Sequence, residues 1–271
     1  MIGKTTKLPF NPLAWPSSPH DFTGDDNLGI YAEETTPRYI CGTRYTTWDG
    51  RVFKYSRAIA AVLATYGADN NAGIINMNVA LNQSTVAGDR KVSWLLDSGA
   101  GYGADGTVAE DELIGAYIIM GHGATNARMN RMIIANEGGI SGEAIELTLD
   151  GPCSDAATTP FTEILLNPYR YTSRNVNGSY CSKVCVPAVN CDANEYYWGQ
   201  TWGPCFLTPG GASAKVGDAE EGRSLYFVGD GSVNSAVDIT IENGYQLAGF
   251  VLDESVAAGS AAPFAMLQIS I

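Results

Sequence analysis

The sequence is short of the residues on which most catalytic sites depend, beginning with histidine. Only two histidines, His20 and His122, occur among its 271 residues. A serine or cysteine nucleophile would need one of them as its base, and no G-x-S-x-G sequence is present to form a nucleophile elbow. No pair of carboxylates stands out for glycoside hydrolysis either. We therefore expect a protein without catalytic residues.

Familiar metal-binding spacings are also missing. Cys181, Cys185, Cys191 and Cys205 contain no C-x2-C pair of the kind that zinc sites use. The carboxylates do not follow the spacing of an EF-hand calcium loop. We expect no metal and no other cofactor. The six cysteines are interpreted either as thiols in a reducing cytosol or as disulfides formed after release from the cell.

Positive charge and long apolar runs are scarce as well. The chain carries 16 Lys and Arg against 29 Asp and Glu, which gives a formal charge of −13 at pH 7. This excess repels phosphate backbones and anionic lipids, so we expect neither nucleic acid nor a membrane as a partner. The apolar run from Ala58 to Ala64 is too short to span a bilayer, and we expect no signal peptide.

Glycine and proline are plentiful, and together with alternating apolar residues they predict a mostly β fold. The 31 glycines include recurrent Asp-Gly and Asn-Gly pairs, which are turn signals. Apolar residues alternate with polar ones in 75–81 and in 145–149, as in half-buried antiparallel strands. The closing stretch FAMLQISI predicts a final strand. We expect an antiparallel sandwich or one or more barrel-like β-domains, with an extended N-terminal arm.

No low-complexity linker divides the chain, so its organisation is predicted as three stretches. Residues 1–45 form the arm and its lead-in, and residues 46–171 form a first β-region. Residues 172–271 form an irregular Cys-rich loop, densest up to Asn194, and a C-terminal β-region that can also belong to the same domain as the first. Two stretches are ambiguous and leave room for at most one or two short helices, the apolar stripe in 59–66 and the sequence TVAEDELIGAY.

The stretch GYGADG, from Gly101 to Gly106, matches the G-x-G-x-x-G pattern of dinucleotide-binding proteins. In such proteins a helix N-terminus attracts the pyrophosphate, but here Glu110, Asp111 and Glu112 follow and would repel it. No βαβ series continues the pattern. We interpret the stretch as a glycine-rich loop.

The segment LPFNPLAWPSSPHDF, residues 8–22, carries four prolines among large apolar side chains. Proline donates no hydrogen bond to a ladder, so the segment cannot join a central strand. Phe10, Trp15 and Phe22 still favour burial, which makes them candidate interface residues. The arm either packs on its own domain or reaches a neighbouring subunit, and we predict the second arrangement.

The stretch EYYWGQTWGPC places four large rings within eleven residues. Tyr197, Gln200 and Trp202 cannot share one face of a regular strand. A strand here must therefore bend at Gly199 or end near Pro204. Rings on both faces of the strand imply burial of both faces.

Three interpretations of these rings remain open: a core strand, a subunit contact or a sugar-stacking platform. A solvent-exposed platform would leave several apolar rings uncovered, whereas a core or an interface removes them from water. We predict a buried structural segment near a subunit interface. Its candidate interface residues are Tyr197, Trp198 and Trp202.

Six stretches of the sequence, taken in order, resemble a known family. They are WDGRVFKY, MNRMIIANEGG, IELTLDGP, LNPYRYT, YYWGQTWGPC and FAMLQISI, and together they cover roughly residues 40–271. This series is similar to the capsid decoration (cement) proteins of tailed phages, of the type common among phages from environmental samples. The cysteines and the proline-rich arm have no counterpart in that pattern.

The resemblance implies a non-enzymatic, mostly β virion protein that binds the outside of an icosahedral capsid. Its implied partners are the major capsid protein and further copies of itself, as a homotrimer. It would be made in the host cytoplasm and located on the capsid surface. The competing interpretation is a carbohydrate-binding adhesin or tail-associated receptor module, in which rings such as Trp198 and Trp202 stack on sugars.

Overall fold

Antiparallel β-strands make up about half of the described chain. The structure is a computed structural model, and it describes residues 29–47, 49–70, 74–101, 105–121, 128–156, 161–174, 182–210, 223–235, 245–253 and 263–270. Phe10, Trp15 and Phe22 of the arm lie outside these ranges, and so do His20 and His122.

The described residues form eighteen strands and one 3-10 turn, Gly29–Tyr31, without any α-helix. The prediction of a mostly β, antiparallel protein is confirmed. In chain order the strands are β1 (Arg44–Thr46), β2 (Val52–Arg57), β3 (Ala68–Asn70), β4 (Ile74–Ala80), β5 (Lys91–Leu95), β6 (Thr107–Val108), β7 (Tyr117–Gly121), β8 (Arg128–Asn136), β9 (Gly139–Ile140), β10 (Ala144–Leu149), β11 (Phe161–Leu165), β12 (Thr172–Ser173), β13 (Lys183–Pro187), β14 (Tyr196–Phe206), β15 (Ser224–Phe227), β16 (Val233–Ser235), β17 (Leu247–Asp253) and β18 (Phe264–Gln268).

The chain divides into two compact units, and the first contains the described residues between Ala72 and Pro168. Its main sheet has the strand order β4-β11-β7-β8-β10-β5, and β6 pairs separately with β9. The alternation predicted for β10 is confirmed, because Ile145 and Leu147 are buried and pair with Trp94 and Val92 of β5. These side chains belong to the apolar core of the unit.

The second unit contains the described residues of 29–70 and of 169–270. Its sheet has the strand order β12-β3-β13-β14-β18-β17-β15-β16, and β1 and β2 join it through the pairing of β2 with β14. The final strand predicted from FAMLQISI is present as β18. β14 is the longest described strand and pairs with β2, β13 and β18, so this strand organises the unit.

The apolar stripe after β2, which the sequence left open between a short helix and irregular structure, is not helical. Val62 and Cys191 form an isolated antiparallel bridge, and their backbone groups exchange hydrogen bonds of 2.9 and 3.0 Å. Ala58 forms a second bridge, with Thr172. Pairing with distant backbone holds this stretch in bends and turns, in which Val62 is buried and Ile59, Leu63 and Tyr66 are half-buried.

The stretch TVAEDELIGAY is not helical either, because a distant side chain holds it in a series of turns. Asn136 accepts a hydrogen bond on Oδ1 from the Leu113 amide at 2.7 Å. Its Nδ2 donates to the Ala109 carbonyl at 2.9 Å. Tertiary contacts thus satisfy backbone groups that a helix would have paired within itself. The preceding Gly101 has φ +85°, as the predicted glycine-rich loop requires.

The described part of the expected irregular stretch from Thr172 to Asn194 contains two strands, β12 and β13. All five residues of β13, Lys183–Pro187, are buried. A strand covered on both faces shows no alternation, which explains why its pattern was not visible in the sequence. Burial of Lys183 is compensated by Asp69 on the neighbouring strand, with 2.6 Å between Nζ and Oδ1.

Candidate functional site

The aromatic strand β14 is the candidate site, and its two faces contact two different buried clusters. Tyr197 belongs to a cluster with Ala58, Val62, Ala68, Val184, Cys185 and Cys191. Trp198 belongs to another with Ile30, Phe53 and Tyr55. Both rings are almost completely buried, with exposed fractions of 0% and 1%. Successive side chains of a strand point to opposite faces, so the expected burial of both faces is confirmed for this pair.

The Tyr197 hydroxyl lies in a small buried polar network. It is 2.8 Å from Thr172 Oγ1 and 3.5 Å from the Cys185 sulfur. The Cys185 sulfur is also 3.8 Å from Ser56 Oγ. Burial raises the pKa of Tyr197 well above its usual value and raises that of the Cys185 thiol to about 11. Both groups are therefore protonated at neutral pH and act as structural hydrogen-bonding groups.

The Trp198 ring packs among tyrosines. Its ring centroid lies 5.2 Å from that of Tyr55, 5.4 Å from that of Tyr39 and 5.9 Å from that of Tyr45. The interplanar angles are 59–62°, and tilted or edge-on arrangements of this kind are favourable for aromatic pairs. Tyr55 Oη also donates a 2.5 Å hydrogen bond to Glu34. Surrounding rings leave Trp198 without a free surface for a sugar.

One of the two sequence expectations was a bend of the strand at Gly199. β14 bends instead at a bulge around Thr201. Gln200 pairs with Phe53 and Trp202 pairs with Val52, so Thr201 is the extra residue. Gly199 has another role, because a Cβ there would lie 2.3 Å from the Cys185 sulfur. Glycine is thus required for the close approach of β13 to β14.

The alternative expectation, a strand end near Pro204, is also wrong. β14 continues through Pro204 and pairs with β18 as far as Phe206. Beyond Trp202, β18 is its only described strand partner, and proline is tolerated where one side of a strand lacks a partner. The Gln200 Nε2 donates to the carbonyls of Trp202, Gly203 and Pro204 at 3.1, 3.2 and 2.8 Å. This side-chain amide thus supplies hydrogen-bond donors to carbonyls that have no neighbouring strand on that side.

The part of the sheet beyond the bulge exposes an apolar surface, which we call the outer face. Pro204, Met266 and Phe250 form one cross-strand row over β14, β18 and β17. Phe206 and Phe264 pair in the next row. Phe206, Phe250 and Phe264 are 51%, 42% and 45% exposed. The outer face consists of Trp202, Pro204, Phe206, Phe250, Phe264 and Met266, and the exposed Leu252 and Asp253 lie opposite Phe264 at its border.

The opposite side of the same three strands is buried. Cys205, Ala265, Leu267 and Val251 alternate with the residues of the outer face and lie in an apolar cluster. Burial raises the pKa of the Cys205 thiol to about 12, so it is protonated at neutral pH. These strands are therefore covered on one face and open on the other.

The structure places the candidate residues in different environments. Tyr197 and Trp198 lie in the core and Trp202 is half-buried at the edge of the outer face. Phe206, Phe250 and Phe264 were not among the candidates. Their strands are apolar on both faces, so the sequence gives no sign of which face is covered.

The described residues contain neither a metal-binding cluster nor a membrane-spanning helix. No group of three or more His, Cys, Asp or Glu side chains among the described residues could hold a metal ion. The five described cysteines are thiols and form no disulfide with one another. No helix of the described chain has the length and apolar character to cross a membrane.

Comparison with known proteins gives no relatives. No protein-family model matches the chain, no curated protein is similar to it, and no solved structure resembles it.

Proposed function

We propose that the protein is a structural virion protein that binds the outside of an icosahedral phage capsid and stabilises the shell. One observation carries the proposal: five of the six stretches that resemble decoration proteins supply core strands. WDGRVFKY contributes to β2, MNRMIIANEGG to β8, IELTLDGP to β10, YYWGQTWGPC to β14 and FAMLQISI to β18. The resemblance thus rests on residues that determine the fold, in both units.

The proposed mechanism is a mechanical one. A decoration subunit bridges neighbouring capsid proteins and adds buried contact area at the joints of the lattice, which opposes the outward pressure of packaged DNA. A standard interface buries about 1,600 Å² in total, and a homotrimer repeats each contact three times. The proposed partners are therefore the major capsid protein and other copies of this chain, on the capsid surface of particles assembled in the host cytoplasm.

Two features of the described residues support a structural role. The rings of Tyr197 and Trp198 are committed to the core, and the buried thiols of Cys185 and Cys205 are protonated. Of the two tryptophans considered for sugar stacking, only Trp202 retains exposed surface. It borders an outer face made mostly of apolar side chains, whereas sugar sites combine a ring with several placed polar groups. The proposal is accordingly non-enzymatic and does not include a glycan ligand.

Mass spectrometry of purified particles tests this function. The ratio of this chain to the major capsid protein gives its copy number, and we expect hundreds of copies per particle. A handful of copies would instead indicate a tail component, and absence from particles would exclude a virion protein. Glycan-array binding by the purified chain, at a low copy number, would favour the receptor module.

A further inference from the structure

A buried lysine and a buried aspartate lie side by side in the sheet of the second unit. Asp69 on β3 and Lys183 on β13 are paired residues of neighbouring strands, with 2.6 Å between Asp69 Oδ1 and Lys183 Nζ. Their side chains are 1% and 7% exposed. Lys91 and Glu146 are equally close, at 2.5 Å, but their side chains are 63% and 42% exposed. Water therefore surrounds the second pair and is largely excluded from the first.

The buried lysine is held in place along its whole length. Gln246 accepts a 2.7 Å hydrogen bond from the Lys183 amide and donates a 2.8 Å hydrogen bond to the Lys183 carbonyl. A Cβ on Gly67 would lie 2.8 Å from the Phe227 ring and 3.2 Å from Lys183 Cγ, so both side chains pack directly on this glycine. At the end of the side chain, Nζ donates to the Gly229 carbonyl at 3.1 Å. These contacts fix Nζ beside its carboxylate partner.

We propose that Lys183 and Asp69 condense into an amide that joins β3 to β13 covalently. A carbonyl C–O bond is about 1.23 Å long, so Asp69 Cγ lies at most about 3.8 Å from Lys183 Nζ. Two groups held this close react as if each were present at a very high concentration, because the entropy of bringing them together is already lost. Burial also favours the product, since the amide is neutral and the two charges that it replaces are costly away from water.

The condensation needs no reagent besides the pair itself. A proton first passes from the Lys183 ammonium to the Asp69 carboxylate, which converts two buried charges into two neutral groups. The lone pair of the free amine then forms a bond to Asp69 Cγ. One Cγ–O bond breaks, and the departing oxygen takes a second proton from Nζ and leaves as water. The amide nitrogen keeps one hydrogen, so atoms and charge balance and nothing is oxidised or reduced.

The new bond closes a loop that contains the first unit, because residues 72–168 lie between Asp69 and Lys183 in the sequence. β3 has only three residues and pairs with β13 at two positions. So few backbone hydrogen bonds make this pairing a weak point when the chain is pulled, and a covalent bond prevents the two strands from separating. This property suits a protein that resists pressure in a shell, but the cross-link does not depend on the proposed function.

The mass of the purified full chain tests the proposal. We expect it to lie about 18 Da below the mass of the sequence, through the loss of one water. Trypsin should fail to cut the denatured chain after Lys183 and should release residues 58–90 joined to residues 175–215. Lys91 is the internal control, because its exposed pair with Glu146 should stay unlinked and trypsin should cut after it.

Two results would overturn the proposal. One is an unchanged mass with complete cleavage after Lys183. The other is a loss of water with cleavage after Lys183 intact, because the change would then lie elsewhere, for example in a succinimide at an Asp-Gly pair. Both results come from the native chain, so the decision does not require a variant that folds.

Two matched variants connect the mass change to this pair. Lys183→Arg keeps the positive charge but cannot form the amide, so its mass should equal that of its sequence. Lys91→Arg makes the same change at the exposed pair and should still lose one water. In a denaturing gel the native chain should also migrate faster than Lys183→Arg, because a closed loop of more than a hundred residues keeps the unfolded chain compact. Loss of water that persists in Lys183→Arg would overturn the proposal.

Discussion

The two halves of β14 have similar apolar character but opposite surroundings. In the first half, Tyr197 and Trp198 are adjacent in the sequence and both are buried, so both faces of the strand are covered. In the second half, Cys205 is buried while its neighbour Phe206 is 51% exposed, so only one face is covered. The change occurs at the bulge around Thr201, where β2 ends as a partner.

This difference shows that ring content alone does not identify a binding surface. Trp198, one of the two tryptophans considered as a sugar platform, is a core residue surrounded by tyrosines. The exposed apolar surface lies instead at Phe206 and at two phenylalanines from strands distant in the sequence. Neighbouring strands determine which face of β14 is covered. The burial of each half of β14 can be tested separately by mutation.

The largest effect is expected in the closed half. Trp198→Ala should lower the free energy of unfolding by about 3–5 kcal/mol, because it empties a large buried volume. Trp202→Ala, in the half-buried position beyond the bulge, should cost about half as much. Urea denaturation of both variants measures the difference. Equal losses would remove the distinction between the two halves.

The second expected effect comes from the buried thiols and depends on pH. The pKa of Cys205 is raised from about 9 to about 12 and that of Cys185 to about 11. Between pH 9 and these values the unfolded chain has lost the thiol proton and the folded chain retains it. The folded state then binds more protons, so stability falls as pH rises above about 9.

Each of these thiols should contribute a loss of about 1.4 kcal/mol per pH unit within that window. Cys205→Val removes one ionisable group from the covered face of the open half. Its unfolding free energy, measured from pH 8 to pH 11, should therefore fall less steeply than that of the native chain. An identical slope would mean that water reaches Cys205 and that the second half of β14 is open on both faces.

The sequence predicts a strand correctly where a local pattern of residues is enough to specify it. Ile145 and Leu147 alternate with polar residues and form β10 as expected, and the closing apolar stretch forms β18. β13 was not recognised, because a strand buried on both faces has no period and its Lys183 depends on Asp69, over a hundred residues away. The turns after Val108 depend on Asn136 in the same way.

For the candidate site, too, the sequence predicts one part and leaves the other undetermined. Burial of Tyr197 and Trp198 follows from adjacent large rings, which a strand must place on opposite faces. The outer face does not follow, because Phe264, Ala265, Met266 and Leu267 are all apolar and the sequence does not distinguish the covered side. Only the arrangement of β14, β18 and β17 shows which rows remain exposed.

A third prediction concerns the junction between the two halves. Gln200 is buried and its amide donates to three successive carbonyls that follow the bulge. Gln200→Met keeps the volume but leaves those carbonyls without this donor, which should cost about 1–3 kcal/mol. Gln268→Met on the partly exposed position of β18 is the matched control and should be close to neutral. If both variants are neutral, the amide does not replace a strand at this point.

The smallest effect is expected on the outer face, where two neighbours in the sequence provide an internal comparison. Phe206 is 51% exposed, and Leu207 is fully buried in the apolar cluster of the covered face. Phe206→Ser should lower the free energy of unfolding by about 1 kcal/mol or less, because much of its ring already contacts water. Leu207→Ser loses a buried side chain and also buries a hydroxyl, so it should cost about 3 kcal/mol or more. Thermal and urea unfolding of the two variants measure both losses of stability. A loss at Phe206 as large as that at Leu207 would mean that both faces of the second half are core, and β14 would then be buried along its whole length.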